Sequence, residues 1–211
     1  MRTINLRGVD MVTHDNEALS NHIWRERDFF EAPILDYLAD NHPHHGTIID
    51  VGANIGNHSL YFLNFLHTHG LIAFEPYSDN FDLLVRNLAG YDNVLLEQYA
   101  IGDKQTEVLI EPNSQNFGAT RVAVDGSVTA QQVSLDGFLN GFGAYGDITL
   151  IKIDVEEYEK NVIDGAQDTI YLSKPLILIE DWNRSYGKLL PGYKIEKGWD
   201  EHHTFLYRYD E

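Results

Sequence analysis

Thr47–Gly56 reads TIIDVGANIG, an apolar run that ends in an acid, Asp50, and then in two glycines, Gly52 and Gly56, with Asn54 between them. A short apolar run closed by small residues is the pattern of a buried strand that turns directly into a helix. The helix is expected from about Asn57 to His69. Leu71–Phe74 is then a second apolar strand, ending at Glu75 with Pro76 opening the next turn. The unit is β-α-β.

The same rhythm extends in both directions. Upstream, after a polar start, Ile23, Phe30, Ile34, Leu35 and Leu38 recur near helical spacing, with Pro33 fit for a first helical turn, and NHPHHG (Asn41–Gly46) breaks the pattern. Downstream, Ser78–Leu88 has helix signals and Asn93–Ala100 reads as a third strand. Thr106–Glu111 and Arg121–Val124 look like extended pieces. The most apolar strand, ITLIKIDV from Ile148, ends at Asp154, Glu156 and Glu157; a helix from Tyr158 to about Tyr171 and the strand PLILIED, ending at Glu180 and Asp181, follow it. Gly192–Trp199 and His203–Tyr209 suggest a closing antiparallel hairpin. These elements predict an α/β fold: a mostly parallel sheet with helices on both faces and an antiparallel hairpin at one end. Residues 1–46 read as a helical N-terminal lid or extension, and 47–211 as the core of one structural domain.

In such sheets ligands sit beyond the carboxyl ends of the strands, where successive crossovers diverge. Acids gather there. Asn54 stands where a dinucleotide fingerprint wants glycine, and Asp50 before the turn would repel a diphosphate. The same acid suits a ligand with an ammonium group. Glu75, 19 residues after Gly56, is spaced to accept hydrogen bonds from ribose hydroxyls. Together these favour a nucleoside without phosphates.

Composition narrows the classes further. With 211 residues, 43% hydrophobic and 12% aromatic, one self-supporting domain is the expectation. The net charge of −18, with no Lys/Arg cluster to offset it, disfavours a nucleic-acid partner. Zero cysteines remove disulfides, thiolate metal sites and Cys nucleophiles. No leader-like or membrane-spanning apolar run is present, so a cytoplasmic protein without a membrane partner is expected.

Several blocks together carry a family resemblance: TIIDVGANIGNHSLYF, AFEPYSDNFDLLVRNL, QYAIGD, VSLDGFL, LIKIDVEEYEKNVIDGA and LILIED, followed later by GY. The sequence resembles FkbM-type S-adenosylmethionine-dependent methyltransferases over about Phe29 to Tyr193. The resemblance implies a class I Rossmann-like methyltransferase fold with a seven-stranded sheet, and methyl transfer, typically to oxygen. By matching position, the methionine end of S-adenosylmethionine would lie against Asp50, Gly52, Ala53, Asn54 and Gly56, with Asn57 and His58 opening the helix. Glu75 would hold the ribose, and Pro76 and Tyr77 would flank the adenine along with Tyr99, Ala100 and Ile101. Asp154 would stand near the sulfonium and the acceptor. Glu157 occupies a position where the family commonly has glycine, and Phe30 with Glu31 resembles the entry to a lid helix.

Methyl transfer from a sulfonium is an in-line displacement, so the protein must align the acceptor and remove its proton. Asp154 and Glu180 are the catalytic candidates, either serving as general base if burial raises its pKa. A second route places Mg²⁺ on Asp154, Glu180 and Asp181, where it would acidify the acceptor. His42, His44, His45, His202 and His203 read as loop histidines. Trp182, Asn183, Tyr186, Trp199 and the loop Asn113–Thr120 are candidates for the acceptor pocket. The leading expectation is O-methylation of a small-molecule, sugar or natural-product hydroxyl. RNA ribose methylation and an inactive S-adenosylmethionine-binding scaffold are the alternatives. The sequence does not specify an oligomeric state.

Overall fold

Alternating apolar residues in RTINL and VDMVT bury Ile4, Leu6 and Met11 on one side, and the two runs pair as an antiparallel hairpin, β1 (Arg2–Leu6) and β2 (Val9–Thr13). The polar start is therefore a hairpin set before the expected helices. Its alternation spans only five residues per strand and is easily lost among the charges. The computed structural model describes residues 1–15, 17–113, 120–142, 147–182, 184–199 and 203–210.

The helix-spaced stretch from Ile23 to Leu38 divides into α1 (Ala18–Glu26) and α2 (Ala32–Asn41). The break falls where Arg27 and Glu31 both adopt φ of 59°, and Pro33 sits in the first turn of α2, where its missing N–H costs nothing. The strand-turn-helix unit follows as β3 (His44–Val51), α3 (Asn57–Phe65) and β4 (His67–Phe74). The helix is shorter than its apolar pattern because β4 begins early, at His67. Next come α4 (Ser78–Leu88) and β5 (Val94–Glu97). Ala100 does not extend β5; it starts β6 (Ala100–Ile101), in a different sheet.

That second sheet, ordered β6-β9-β7-β8, comprises β6, β7 (Thr106–Glu111), β8 (Arg121–Val122) and β9 (Val128–Val133). After α5 (Leu135–Phe142) and β10 (Ile148–Ile153), the single expected helix is two, α6 (Glu159–Asp164) and α7 (Gln167–Ser173). They part at Gly165, where a Cβ would overlap the carbonyl of Gly102. The chain closes with β11 (Leu176–Glu180), β12 (Tyr193–Trp199) and β13 (Thr204–Tyr209).

The main sheet is ordered β12-β13-β11-β10-β3-β4-β5. From β11 to β5 every pairing is parallel, and β13 pairs antiparallel with both β11 and β12. Side chains alternate across it. Ile48, Leu71, Leu150, Leu178 and Leu206 pack against the hairpin and α1–α4, whereas Ile49, Ile72, Ile151, Ile177 and Phe205 pack against α5–α7. The chain leaves β3 for β4 on one side and returns to β10 on the other, so the crossovers diverge between β3 and β10. Among the described residues no helix is long and apolar enough to cross a membrane.

Candidate functional site

Beyond that point of divergence lies a cavity of about 440 Å³, within the range of small-molecule sites. Its walls come from the turn after β3, the ends of β4, β10 and β11, the α1–α2 junction and the second sheet. Glu75 lines it while nearly wholly buried. Its Oε2 accepts the Asn54 N–H at 2.9 Å and its Oε1 accepts the Tyr77 N–H at 2.9 Å. Burial pushes Glu75 up to about 7, against these hydrogen bonds and the nearby Lys152 charge. The carboxylate thus ties the turn after β3 to the turn after β4, as one wall of the cavity.

The glycines answer to packing. Gly52 has φ of 75°, and a Cβ there would overlap the Asp154 carbonyl oxygen; Gly56 caps α3 with φ of 90°. Asn54 tolerates φ of 51° while its Oδ1 accepts the Ile55 N–H at 2.7 Å. Gly52, Ala53, Asn54, Asn57, His58, Pro76, Tyr99, Ala100 and Ile101 all line the cavity, together with Glu75, Asp154 and Glu180. Asp50, Gly56 and Tyr77 do not. Asp50 is completely buried beneath the turn, where its Oδ2 accepts the Ser59 hydroxyl at 2.6 Å and its Oδ1 lies 3.2 Å from Lys152 Nζ. It supports the wall and does not face it.

At the β10 and β11 ends, Asp154, Glu156 and Glu180 bring carboxylate oxygens within 4.8 Å of one another. A divalent ion is one species such a group can hold, and crowded acids without one are common. Asp181 is not part of it. The pleat turns Asp181 to the opposite face of the sheet, where its carboxylate accepts the N–H groups of Ser185 and Tyr186 and the Tyr207 hydroxyl at 2.9–3.0 Å. The trio expected from sequence fails on that residue: Glu156, not Asp181, stands beside Asp154 and Glu180. Burial first, then Asp154 and Glu156, raise Glu180 to about 8, and its buried Oε2 has no hydrogen-bond partner among the described residues. Burial, then Asp154 and Glu159, bring Glu156 to about 7.

The α1–α2 junction forms the roof. Asn57 accepts the Phe30 N–H at 2.9 Å and donates to the Phe30 carbonyl at 3.1 Å. Glu31 Oε2 lies 3.1 Å from His58 Nε2, and Glu31 Oε1 accepts the Thr204 hydroxyl at 3.1 Å. Trp182 lines the cavity with its ring stacked 3.9 Å from His203. Arg121, also on the wall, pairs with Glu157 at 3.2 Å. Tyr186 instead donates to Glu159, and Trp199 packs edge-on against Tyr37; neither lines the cavity. Asn183, His202 and residues 114–119 lie outside the described residues.

Sequence reasoning missed Lys152. It is the only Lys or Arg buried among the described residues, and it lines the cavity. The signal was one charged residue within an otherwise apolar strand, ITLIKIDV, because lysine is almost never fully buried unless paired.

A family model for the methyltransferase FkbM domain matches residues 50–208. No curated protein sequence matches the chain. Among solved structures, a methyltransferase FkbM from Methylobacillus flagellatus KT superposes with a TM-score of 0.58 at 19% identity, over 78% of this chain and 44% of that one. Escherichia coli yhhF, described as a methyltransferase, gives 0.59 at 15% identity over 100% of both chains. Streptococcus pneumoniae Sp1610, described as a tRNA (m1A22) methyltransferase and solved in complex with S-adenosyl-L-methionine, gives 0.53 at 10% identity, over 85% of this chain and 73% of that one. These likenesses establish a Rossmann-like α/β fold.

Proposed function

This chain belongs to the methyltransferase FkbM family, and from that premise we propose that it transfers the methyl group of S-adenosylmethionine to the hydroxyl of a small molecule, such as a sugar or natural product. One observation carries the reading: the cavity where the crossovers diverge has Glu75 on one wall and Asp154, Glu156 and Glu180 on another. These residues fit the donor. Glu75 is a buried acceptor with capacity for ribose hydroxyls, the acids favour a positive sulfonium, and the wall's Arg121 and Lys152 are already paired with acids. A diphosphate would meet carboxylates instead of a cradle.

When bound, S-adenosylmethionine supplies a methyl group on a positively charged sulfur. The chain's own groups do the rest. Asp154 places negative charge beside the sulfonium pocket, and Glu156 adds to it as pH rises through about 7. Glu180 takes the acceptor's hydroxyl proton as the oxygen–carbon bond forms and the carbon–sulfur bond breaks. Its elevated proton affinity matches that task. The net charge of −18 weighs against RNA as the acceptor.

Calorimetric titration with S-adenosylhomocysteine and NAD tests the assignment. Wild-type protein is expected to bind the former and not NAD, and Glu75→Ala to weaken binding about tenfold or more, the loss of a charged hydrogen-bonding group. Binding of NAD, or indifference to the substitution in folded protein, sinks the reading.

A further inference from the structure

Lys152 and Asp50 are register partners on β10 and β3, so their ion pair spans the point where the crossovers diverge. Both lie on the sheet face that packs against α1–α4. The ammonium has three N–H donors and no acceptor capacity, and its neighbours surround it. Nζ donates to the Gly52 carbonyl at 2.6 Å, lies 3.2 Å from Asp50 Oδ1 and 3.6 Å from Asp154 Oδ2. Burial alone would lower its proton affinity, but Asp50 and then Asp154 more than offset this and hold the ammonium charged. A buried cation is costly for a sheet centre that apolar residues could fill. Here it joins the turn after β3 to the carboxylate after β10.

We propose that Lys152 is a positioning residue of the donor site, fixing the Gly52 turn and the Asp154 carboxylate in register so that together they receive the amino-acid end of S-adenosylmethionine. The inference rests on the donor reading above. It assigns Asp50 a supporting part, as the buried counter-ion that keeps Lys152 aimed. Glu75 holds the nucleoside end through its own hydrogen bonds to the Asn54 and Tyr77 N–H groups.

The test separates positioning from simple support of the fold. Wild type, Lys152→Met and the double variant Lys152→Met with Asp50→Asn are compared by thermal unfolding and by calorimetry. The probes are S-adenosylhomocysteine and 5′-methylthioadenosine, which lacks the amino-acid end. Lys152→Met leaves Asp50 buried and unpaired and lowers Tm; the double variant removes the orphaned charge and regains much of it. Affinity for S-adenosylhomocysteine is expected to stay down about tenfold or more in the double variant, while 5′-methylthioadenosine changes less than about twofold. If S-adenosylhomocysteine binding recovers together with Tm, or both ligands weaken equally, Lys152 is structural only and the proposal is overturned. Should Lys152→Met fail to fold, the double variant decides alone. Wild-type protein that binds neither ligand overturns the donor reading itself, a result distinct from any failure of the variants.

Discussion

At Glu180 the chemistry of one side chain is set by its surroundings. Burial and the neighbouring Asp154 and Glu156 carry it to about 8, so it is an efficient base only where it is ionised, and turnover should rise with pH through about 8. Glu180→Gln keeps the shape and removes the base. It is expected to retain S-adenosylhomocysteine binding and to lose transfer by roughly a hundredfold or more, read with a labelled methyl group on an acceptor found by screening. Unchanged transfer would move the base elsewhere. Lys152 and Asp181 show how far single residues were legible. Asp181 follows a strand end and so read as a site residue, yet one step along a pleat reverses the face. Lys152 read as an interruption of an apolar strand, and pattern reading has no means of seeing that Asp50 lies opposite.

At the scale of elements, the turns between strand and helix carry the constraint. Gly52→Ala meets both an unfavourable φ and the Asp154 backbone, whereas Gly8→Ala in the N-terminal hairpin meets the φ of 95° with nothing within 4 Å. Urea unfolding should separate them: about 1–2 kcal/mol lost at Gly8, and more than about 3 kcal/mol at Gly52. Equal losses would mean that φ alone matters. The loop after β10 holds the converse case. Glu157, exposed and at φ of 72°, occupies backbone that suits glycine, and Glu157→Gly should add about 1 kcal/mol of stability by the same measurement. Strands β3, β4, β10 and β11 were readable because buried parallel strands are near-continuous apolar runs. The hairpin β1–β2 was not, nor were β6 and β9, because these strands are short or mixed with polar residues; β7 and β8 read as extended pieces, but not the sheet they form. The pairing that places β6 beside β9 is long-range information.

Over the whole molecule, the acids of the cavity link stability to pH. Glu75, Glu156 and Glu180 are all held above their ordinary value of 4.5, at about 7, 7 and 8. The unfolded chain releases these protons first, so their contribution is complete below about 4.5 and is lost as pH rises to about 8. Asp36 acts oppositely. Its hydrogen bond from Arg7 holds it below the usual range, and that contribution disappears in acid. Tm is therefore expected to peak at mildly acidic pH and to fall toward pH 8, and added salt should raise it by screening a net charge of −18. A Tm that rises between about pH 6 and 8 would contradict the burial of these acids.

The contact between Glu31 and Thr204 joins residues 173 positions apart. Ribosomes deliver the chain from its N-terminus, so β3, α3 and β4 can be assembled while the partner for the roof has yet to be made. The nascent protein passes through a stage with floor and walls but no latch, and closing so distant a contact comes late in folding. Ligand capture is accordingly a property acquired only once strand β13 has been made and slots between β11 and β12.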